Sequence, residues 1–315
     1  MRILRPNRHP SFHSVSLLCC LAASLIPGSP VRAGDLDRPD NADGTTATLR
    51  TDKNQYNLFH PTPDDLLRDF SSSRPDQTTG AHSVDAGHFY LETGVAYSLG
   101  LGATRTDTWN YFQSTHVRMG LLNNVELELI WSGLDETRTR PLRPSGHGRT
   151  DSDIVGATNL TVRTRLVLVG NDSKTFAFSI DPEITLPTQS HHTDSEHVQG
   201  DVIFCFSFAL PLGFSTTINA QPSAFRNGSD TAYDFGFVSG VTLYHNLFRK
   251  EDRVQLYVEY YDTLVTGPGS TDARQADVGV RWRPFKNVQF DAGCNFGVSA
   301  DAPDYQPFFG VATRF

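Results

Sequence analysis

The sequence predicts an all-β protein in which about twelve antiparallel strands close into an up-and-down barrel that crosses a membrane. The composition is the first reason, because 21 Phe, 10 Tyr and 25 Gly against only 2 Met in 315 residues favour strands over helices. The second is a period-two alternation of apolar and polar side chains that continues from about residue 86 to the end. The third is that no apolar run reaches the roughly 18 to 20 residues of a membrane helix, so strands would have to do the crossing.

The amino terminus is predicted to be a secretory signal peptide over residues 1–33. Arginines stand in the first eight residues, an apolar stretch covers about residues 15–26, and small Ala33 precedes Gly34. This order of charged region, apolar core and small cleavage residue is typical of secreted precursors. A membrane anchor is the weaker alternative, because the apolar stretch is short and contains Ser16 and Ser24.

Residues 34–85 are polar, without apolar periodicity, and predict an irregular, mobile periplasmic segment. Its one local signal is a short helix near residues 63–70. Thr62 is a suitable N-cap, Pro63 suits the first helical position, and Asp64 and Asp65 favour the positive end of the helix dipole.

The predicted barrel covers residues 86–315. The connections between strands alternate in length, with a short turn at 122–124 and long loops at 100–107 and 132–152, whereas 246–252 is longer than the alternation predicts. In outer-membrane barrels the short turns are periplasmic. The alternation therefore predicts that the N-terminal segment and Phe315 lie on the periplasmic side.

A secreted, soluble β-sandwich that binds a ligand is the main alternative, since its strands also alternate. Charges of both signs in the middle of strands favour a barrel with a wet lumen, although a sandwich surface would look similar. The thirteen residues predicted to line the lumen are Arg118, Glu126, Glu128, Arg163, Arg165, Asp181, Glu183, Tyr257, Glu259, Tyr261, Arg281, Arg283 and Asp291.

When Glu92, Asp277 and Arg314 are included, the inward positions carry eight acids against six arginines, a near balance that argues against a strongly ion-selective ring. Three-residue turns would place Arg118 opposite Glu128 and Arg281 opposite Asp291, as cross-strand pairs. The tyrosines at 257 and 261 offer a stacking surface for an aromatic solute.

Other functions have weaker support. A net charge of −8 argues against nucleic-acid binding. The His-rich loop 191–197 contains metal-capable side chains but no specific spacing, and we predict no metal, no cofactor and no catalytic residue. Cys205 and Cys294 are predicted either to form one bridge or to stay free.

The chain resembles the MetA-pathway-of-phenol-degradation family of outer-membrane β-barrel transporters. The resemblance begins at Ser73-Arg74-Pro75-Asp76, continues through Val84–Gly94, the hairpin Arg118–Leu127 and Glu183–Thr188, and ends at Ala302–Tyr305 and Thr313-Arg314-Phe315. It covers residues 73–315 and implies a barrel that passes small solutes, including aromatic or hydrophobic ones. It assigns no catalytic residues.

We therefore expect a porin-like channel or transporter in the outer membrane of a Gram-negative bacterium. Its expected partners are outer-membrane lipid, a small-molecule solute and the assembly machinery, which recognises terminal strands of the kind that ends at Phe315 in similar proteins. A structural barrel with a plugged lumen is the alternative within the same fold. The sequence leaves open the solute, the oligomeric state and the role of residues 34–85.

Overall fold

The computed structural model describes residues 52–102, 104–141, 152–190, 196–226, 233–248, 251–267 and 270–315. The predicted signal peptide and most of the His-rich loop lie outside them. The strand segments are β1 (Phe89–Leu101), β2 (Thr104–Leu122), β3 (Val125–Trp131), β4 (Leu134–Pro141), β5 (Ser152–Ala157), β6 (Leu160–Val169), β7 (Phe176–Leu186), β8 (Gln199–Ala209), β9 (Phe214–Phe225), β10 (Asp234–Phe248), β11 (Glu251–Val265), β12 (Thr271–Phe285), β13 (Val288–Gly297) and β14 (Tyr305–Arg314).

These segments build a closed antiparallel barrel of twelve strands, as predicted. Two of the twelve are interrupted: β3 and β4 form one strand, broken where Gly133 has a φ of 107°, and β5 and β6 form another. The barrel closes because β1 pairs with both β2 and β14, with Tyr90 opposite Arg314. A single closed sheet rules out the two packed sheets of the sandwich alternative.

Two predicted connections are wrong. The expected loop at 100–107 is mostly strand, since β1 runs to Leu101 and β2 starts at Thr104. The connection expected to be long at 246–252 is shorter, because β10 extends to Phe248 and β11 begins at Glu251. In both places the alternating side chains continue the ladder further than the polar composition suggested. We call the rim with the short turns at 123–124 and 286–287 the turn rim, and the opposite one the loop rim.

The two faces of the wall have opposite chemistry. Outward side chains are apolar and exposed, such as Val258 at 52% and Trp282 at 51%, whereas inward Glu126 and Glu128 have no exposed surface. An apolar outside and a polar inside are the reverse of a water-soluble protein and match a barrel in lipid. In the described residues, no helix is long and apolar enough to cross a membrane.

The segment that precedes β1 differs from the prediction. The helix expected near 63–70 is absent, and a single turn closed by Leu66 N and Pro63 O at 2.9 Å takes its place. The cause lies at Arg68, whose backbone N–H donates to Asp85 at 2.8 Å and whose backbone carbonyl accepts from Arg314 at 2.8 Å. These groups bond to the rest of the fold instead of to a helix.

The expectation of a mobile periplasmic segment is also wrong for residues 70–86. They enter the barrel and bond to its inner wall, because inward charges buried in the lumen need hydrogen-bond partners. We call residues 70–86 the luminal segment.

Candidate functional site

The inner wall of the barrel carries the thirteen residues predicted for the lumen. The structure places all of them on the inward face, and it confirms that Arg118 lies opposite Glu128 and Arg281 opposite Asp291. Residues that lie opposite each other in the strand register are not necessarily bonded to each other. Arg118 bonds instead to Glu126 at 2.6 Å and Glu92 at 3.1 Å, and its nearest approach to Glu128 is 3.9 Å.

Further ion pairs join the neighbouring strands β3, β6 and β7. Arg163 bonds to Glu183 at 2.5 Å and to Glu128 at 3.1 Å, and the same Glu128 contacts His116 Nδ1 at 2.6 Å. Arg165 bonds to Asp181 at 2.8 Å. Pairs of buried charges of this kind neutralise the wall locally and give it a fixed shape.

At the centre of the site, charged residues of the wall form ion pairs with the luminal segment instead of with each other. Asp291 binds Arg74 of the luminal segment at 3.1 Å. Arg281 binds the luminal segment's Asp76, which also accepts from the Tyr244 hydroxyl. The wall pair expected from the register is therefore split, and Arg74-Pro75-Asp76 supplies one opposite charge to each half.

Two glycines make room for this arrangement. Gly94 on β1 and Gly310 on β14 lie opposite each other, and a Cβ at either position would collide with the Arg74 guanidinium. The side chain of Arg74 therefore lies flat against bare backbone, and only 3% of the residue is exposed.

Wall carboxylates also hold the backbone of the luminal segment. Glu259 accepts from the backbone N–H groups of Gln77 at 2.9 Å and Thr78 at 2.8 Å. Glu126 accepts from Val84 N at 2.6 Å, and Glu92 from Ser73 N at 2.9 Å. An irregular backbone inside a barrel needs such partners, since it makes no ladder of its own.

Amide side chains and arginines complete the attachment. The Asn219 amide makes two bonds with the backbone of Thr79, at 2.6 Å and 2.9 Å. Arg165 donates to the His82 carbonyl at 3.0 Å, and Arg283 to the Phe70 carbonyl at 3.0 Å. Strands all around the barrel thus hold the luminal segment.

A second group of charges fastens the segment at the turn rim. Lys53 lies 3.3 Å from Asp85 and 3.0 Å from Asp172, and Arg68 lies 3.0 Å from both carboxylates. Burial raises the pKa of Asp172, but hydrogen bonds from Lys53 and the charge of Arg68 outweigh it and leave the pKa below its usual value. Burial lowers the pKa of nearby His82, although its bond to the Ser173 carbonyl opposes this.

The luminal segment separates two cavities. The turn-side cavity, of about 220 Å³, is bordered by Ser72, Gly80 and His82 of the segment. The loop-side cavity, of about 340 Å³, is bordered by Ser73, Arg74 and Gln77. The segment is therefore a partition between them.

The structure also describes the predicted tyrosines, cysteines and metal-capable side chains. Tyr257 is 3% exposed and packs against Tyr244, with ring centroids 6.3 Å apart, so the expected stacking surface is reduced to Tyr261 in the loop-side cavity. Cys205 and Cys294 are free thiols. Within the described ranges, no group of three or more metal-capable side chains comes together.

Sequence reasoning missed the luminal segment. The available signal was Arg74-Pro75-Asp76, an opposite-charge pair in a stretch otherwise assigned to a mobile linker. The paired glycines at 94 and 310 were a second signal, but their proximity depends on the β1–β14 closure.

One solved structure supports this architecture. An outer membrane channel from Pseudomonas putida F1 has a similar fold, with a TM-score of 0.55 and 10% identity over 78% of this chain and 100% of its own. The NanC porin gives 0.45 at 8% identity, over 71% of this chain and 98% of its own. The β-domain of the Bordetella autotransporter BrkA gives 0.44 at 10% identity, over 72% and 98%. No curated protein matches by sequence.

The family model described as "Putative MetA-pathway of phenol degradation" matches residues 72–315. This range includes most of the luminal segment as well as the whole barrel, so the partition lies within the family's own domain. With more than half of its length matched, the chain belongs to this family.

Proposed function

We propose that this protein is an outer-membrane channel for small solutes, and that passage requires the luminal segment to move away from the wall. The observation that carries the proposal is the partition itself: Arg74 and Asp76 hold a polar segment between two cavities of one closed barrel. The segment is held mainly by hydrogen bonds and ion pairs, and their net contribution is modest because bonds to water can replace them once the segment moves, which is not true of a packed apolar core.

The location belongs to the same proposal. The apolar outer face and the polar lumen suit a lipid bilayer, and the similar channel and porins are named as outer-membrane proteins or porins. Export would use the predicted signal peptide over residues 1–33, with residues 34–85 leading into the barrel from the periplasm. Insertion would use recognition of β14 by the assembly machinery. We assign no catalytic role to any residue.

The test is the conductance of the purified protein in planar bilayers, with and without Arg74→Ala. Removing one partner of a buried ion pair costs about 3 to 5 kcal/mol, which raises the population of the displaced segment at least about a hundredfold. We expect rare, brief openings for the wild type and frequent or long openings for the variant. Arg105→Ala, which removes an exposed ion pair at the loop-rim end of β2, is the matched control and should behave as wild type.

A second variant shows whether frequent openings come from a displaced luminal segment or from a damaged barrel. Adding Asp291→Asn to Arg74→Ala removes the buried charge left behind, so it should restore heat resistance of the folded band on gels while openings stay frequent. If the wild type and both variants are folded yet pass no current, the barrel is plugged and structural, and the proposal is wrong.

A further inference from the structure

The loop-side cavity has a lining that differs from what the family description suggests. Polar and charged side chains on its border already have partners, since Arg163 bonds to Glu183 at 2.5 Å and His116 Nδ1 contacts Glu128 at 2.6 Å. Arg74 and Asp76 bind the wall in the same way. A solute that enters therefore meets little unbalanced charge from these groups.

Carboxamides and hydroxyl groups form the remaining polar lining. Each amide offers two donors and an acceptor with two lone pairs. The amides that border this cavity are Gln77, Gln113, Asn219, Gln221, Asn295 and Gln306.

Part of this capacity is unused by the protein. Gln306 accepts from Asn295 at 3.2 Å through its oxygen, and its Nε2 has no protein acceptor in the part of the chain that the structure describes. The side-chain amide of Gln113 likewise has no partner among the described residues. Gln77 is exposed to the lumen, so solvent reaches the amide lining.

We infer that the loop-side cavity binds a neutral, polyhydroxylated solute of monosaccharide size. Resting on the proposed function, this inference names the class of solute that the channel admits. Hydroxyl groups accept from the free amide donors of Gln113 and Gln306 and can donate in return, whereas an aromatic hydrocarbon would leave these donors without partners. A site built to bond hydroxyls discriminates strongly against solutes that lack them. A volume of about 340 Å³ is at the small end of ligand sites, and Tyr261 and Phe308 on its border supply apolar surface for the carbon skeleton.

The experiment measures binding to the full-length protein in detergent by saturation-transfer NMR, with D-glucose, phenol and benzoate as probes. We expect glucose to bind at least about tenfold more tightly than either aromatic probe. Gln306→Leu and Gln113→Leu, which remove the amide donors that the protein leaves free, should each weaken glucose binding about fivefold or more. Gln255→Leu, an amide on the turn-side cavity, is the matched control and should leave glucose binding unchanged.

Heat-modified gel migration of each variant confirms that the barrel is folded. Equal or tighter binding of phenol or benzoate would overturn the inference, and so would an equal loss of glucose binding in Gln255→Leu. Conductance is measured separately on the same preparations. A conducting wild type that ignores glucose overturns only this inference, whereas glucose binding without any conductance overturns only the proposed function.

Discussion

The lack of a side chain at Gly310 is as important for the position of the luminal segment as the charge of Arg74. Arg74 reaches Asp291 only because Gly310 leaves its backbone bare beneath the guanidinium. Any larger residue would occupy the place of that side chain. The luminal segment is therefore sensitive to a single methyl group at this position.

Gly310→Ala should displace Arg74 and destabilise the closed lumen by about 1 to 3 kcal/mol, the usual cost of overpacking. Bilayer recordings should show longer openings than in wild type. Gly100→Ala is the control, since a Cβ there would meet only Thr106 at 4.0 Å, and it should leave the openings unchanged. Wild-type gating in Gly310→Ala would show that Arg74 does not hold the segment.

Residue-level reasoning from the sequence was right about faces and incomplete about partners. The alternation of side chains along the strands correctly predicted that Arg281 lies opposite Asp291, because a period of two determines which side chains share a face. It could not show that Arg74 and Asp76 intervene, since their bonds span more than 200 positions of sequence. Contacts of that range depend on closure of the whole barrel.

Single strands were the most predictable level of structure, because each carries its own alternation. Val280 lies outward and opposite Ala292, as expected. The loop expected at 100–107 was wrong, because Arg105 and Asp107 belong to β2. In fact they continue the outward face of β2.

Val280→Lys should impair insertion by about 2 to 4 kcal/mol if the site is at the midplane of the bilayer. Gln275→Lys on the same strand is the control: Gln275 faces the lumen near Asp277, where a cation is favourable. Gly279 is unsuitable for this purpose, because a Cβ there would lie 2.5 Å from the Tyr257 ring. The folded fraction after assembly into liposomes measures the effect, and equal yields for both variants would contradict the face assignment.

At the scale of the whole molecule, the attachment at the turn rim predicts a dependence on pH. The pKa of His82 is lowered in the folded protein, by burial and by the charges of Arg165 and Arg68. Its stabilising contribution is therefore present above the ordinary histidine pKa and is lost as the pH falls below it. The lowered pKa of Asp172 acts in the same direction, with its loss at still lower pH.

Hydrogen exchange of residues 70–86, corrected for intrinsic rates, should therefore speed up as the pH falls from about 7 towards 3. His82→Asn should remove the change between about pH 7 and 4 and leave the change at lower pH, which is due to Asp172. Exchange that is independent of pH over this range, or faster at high pH, would contradict the assignment.

The path of the chain determines from which rim the luminal segment can be pulled out of the barrel. The luminal segment enters and leaves by the same rim: Leu58 N bonds to Leu121 O at the turn rim, and Thr62 N bonds to Ala86 O close to the start of β1. It is a loop folded back on itself, so it can be withdrawn through the turn rim without threading a chain end. Tension applied at Asp52 would break its bonds one after another, whereas a force applied from the loop rim would load many of them at the same time. The same set of bonds should therefore yield to a small force from the turn rim and resist a larger force from the loop rim.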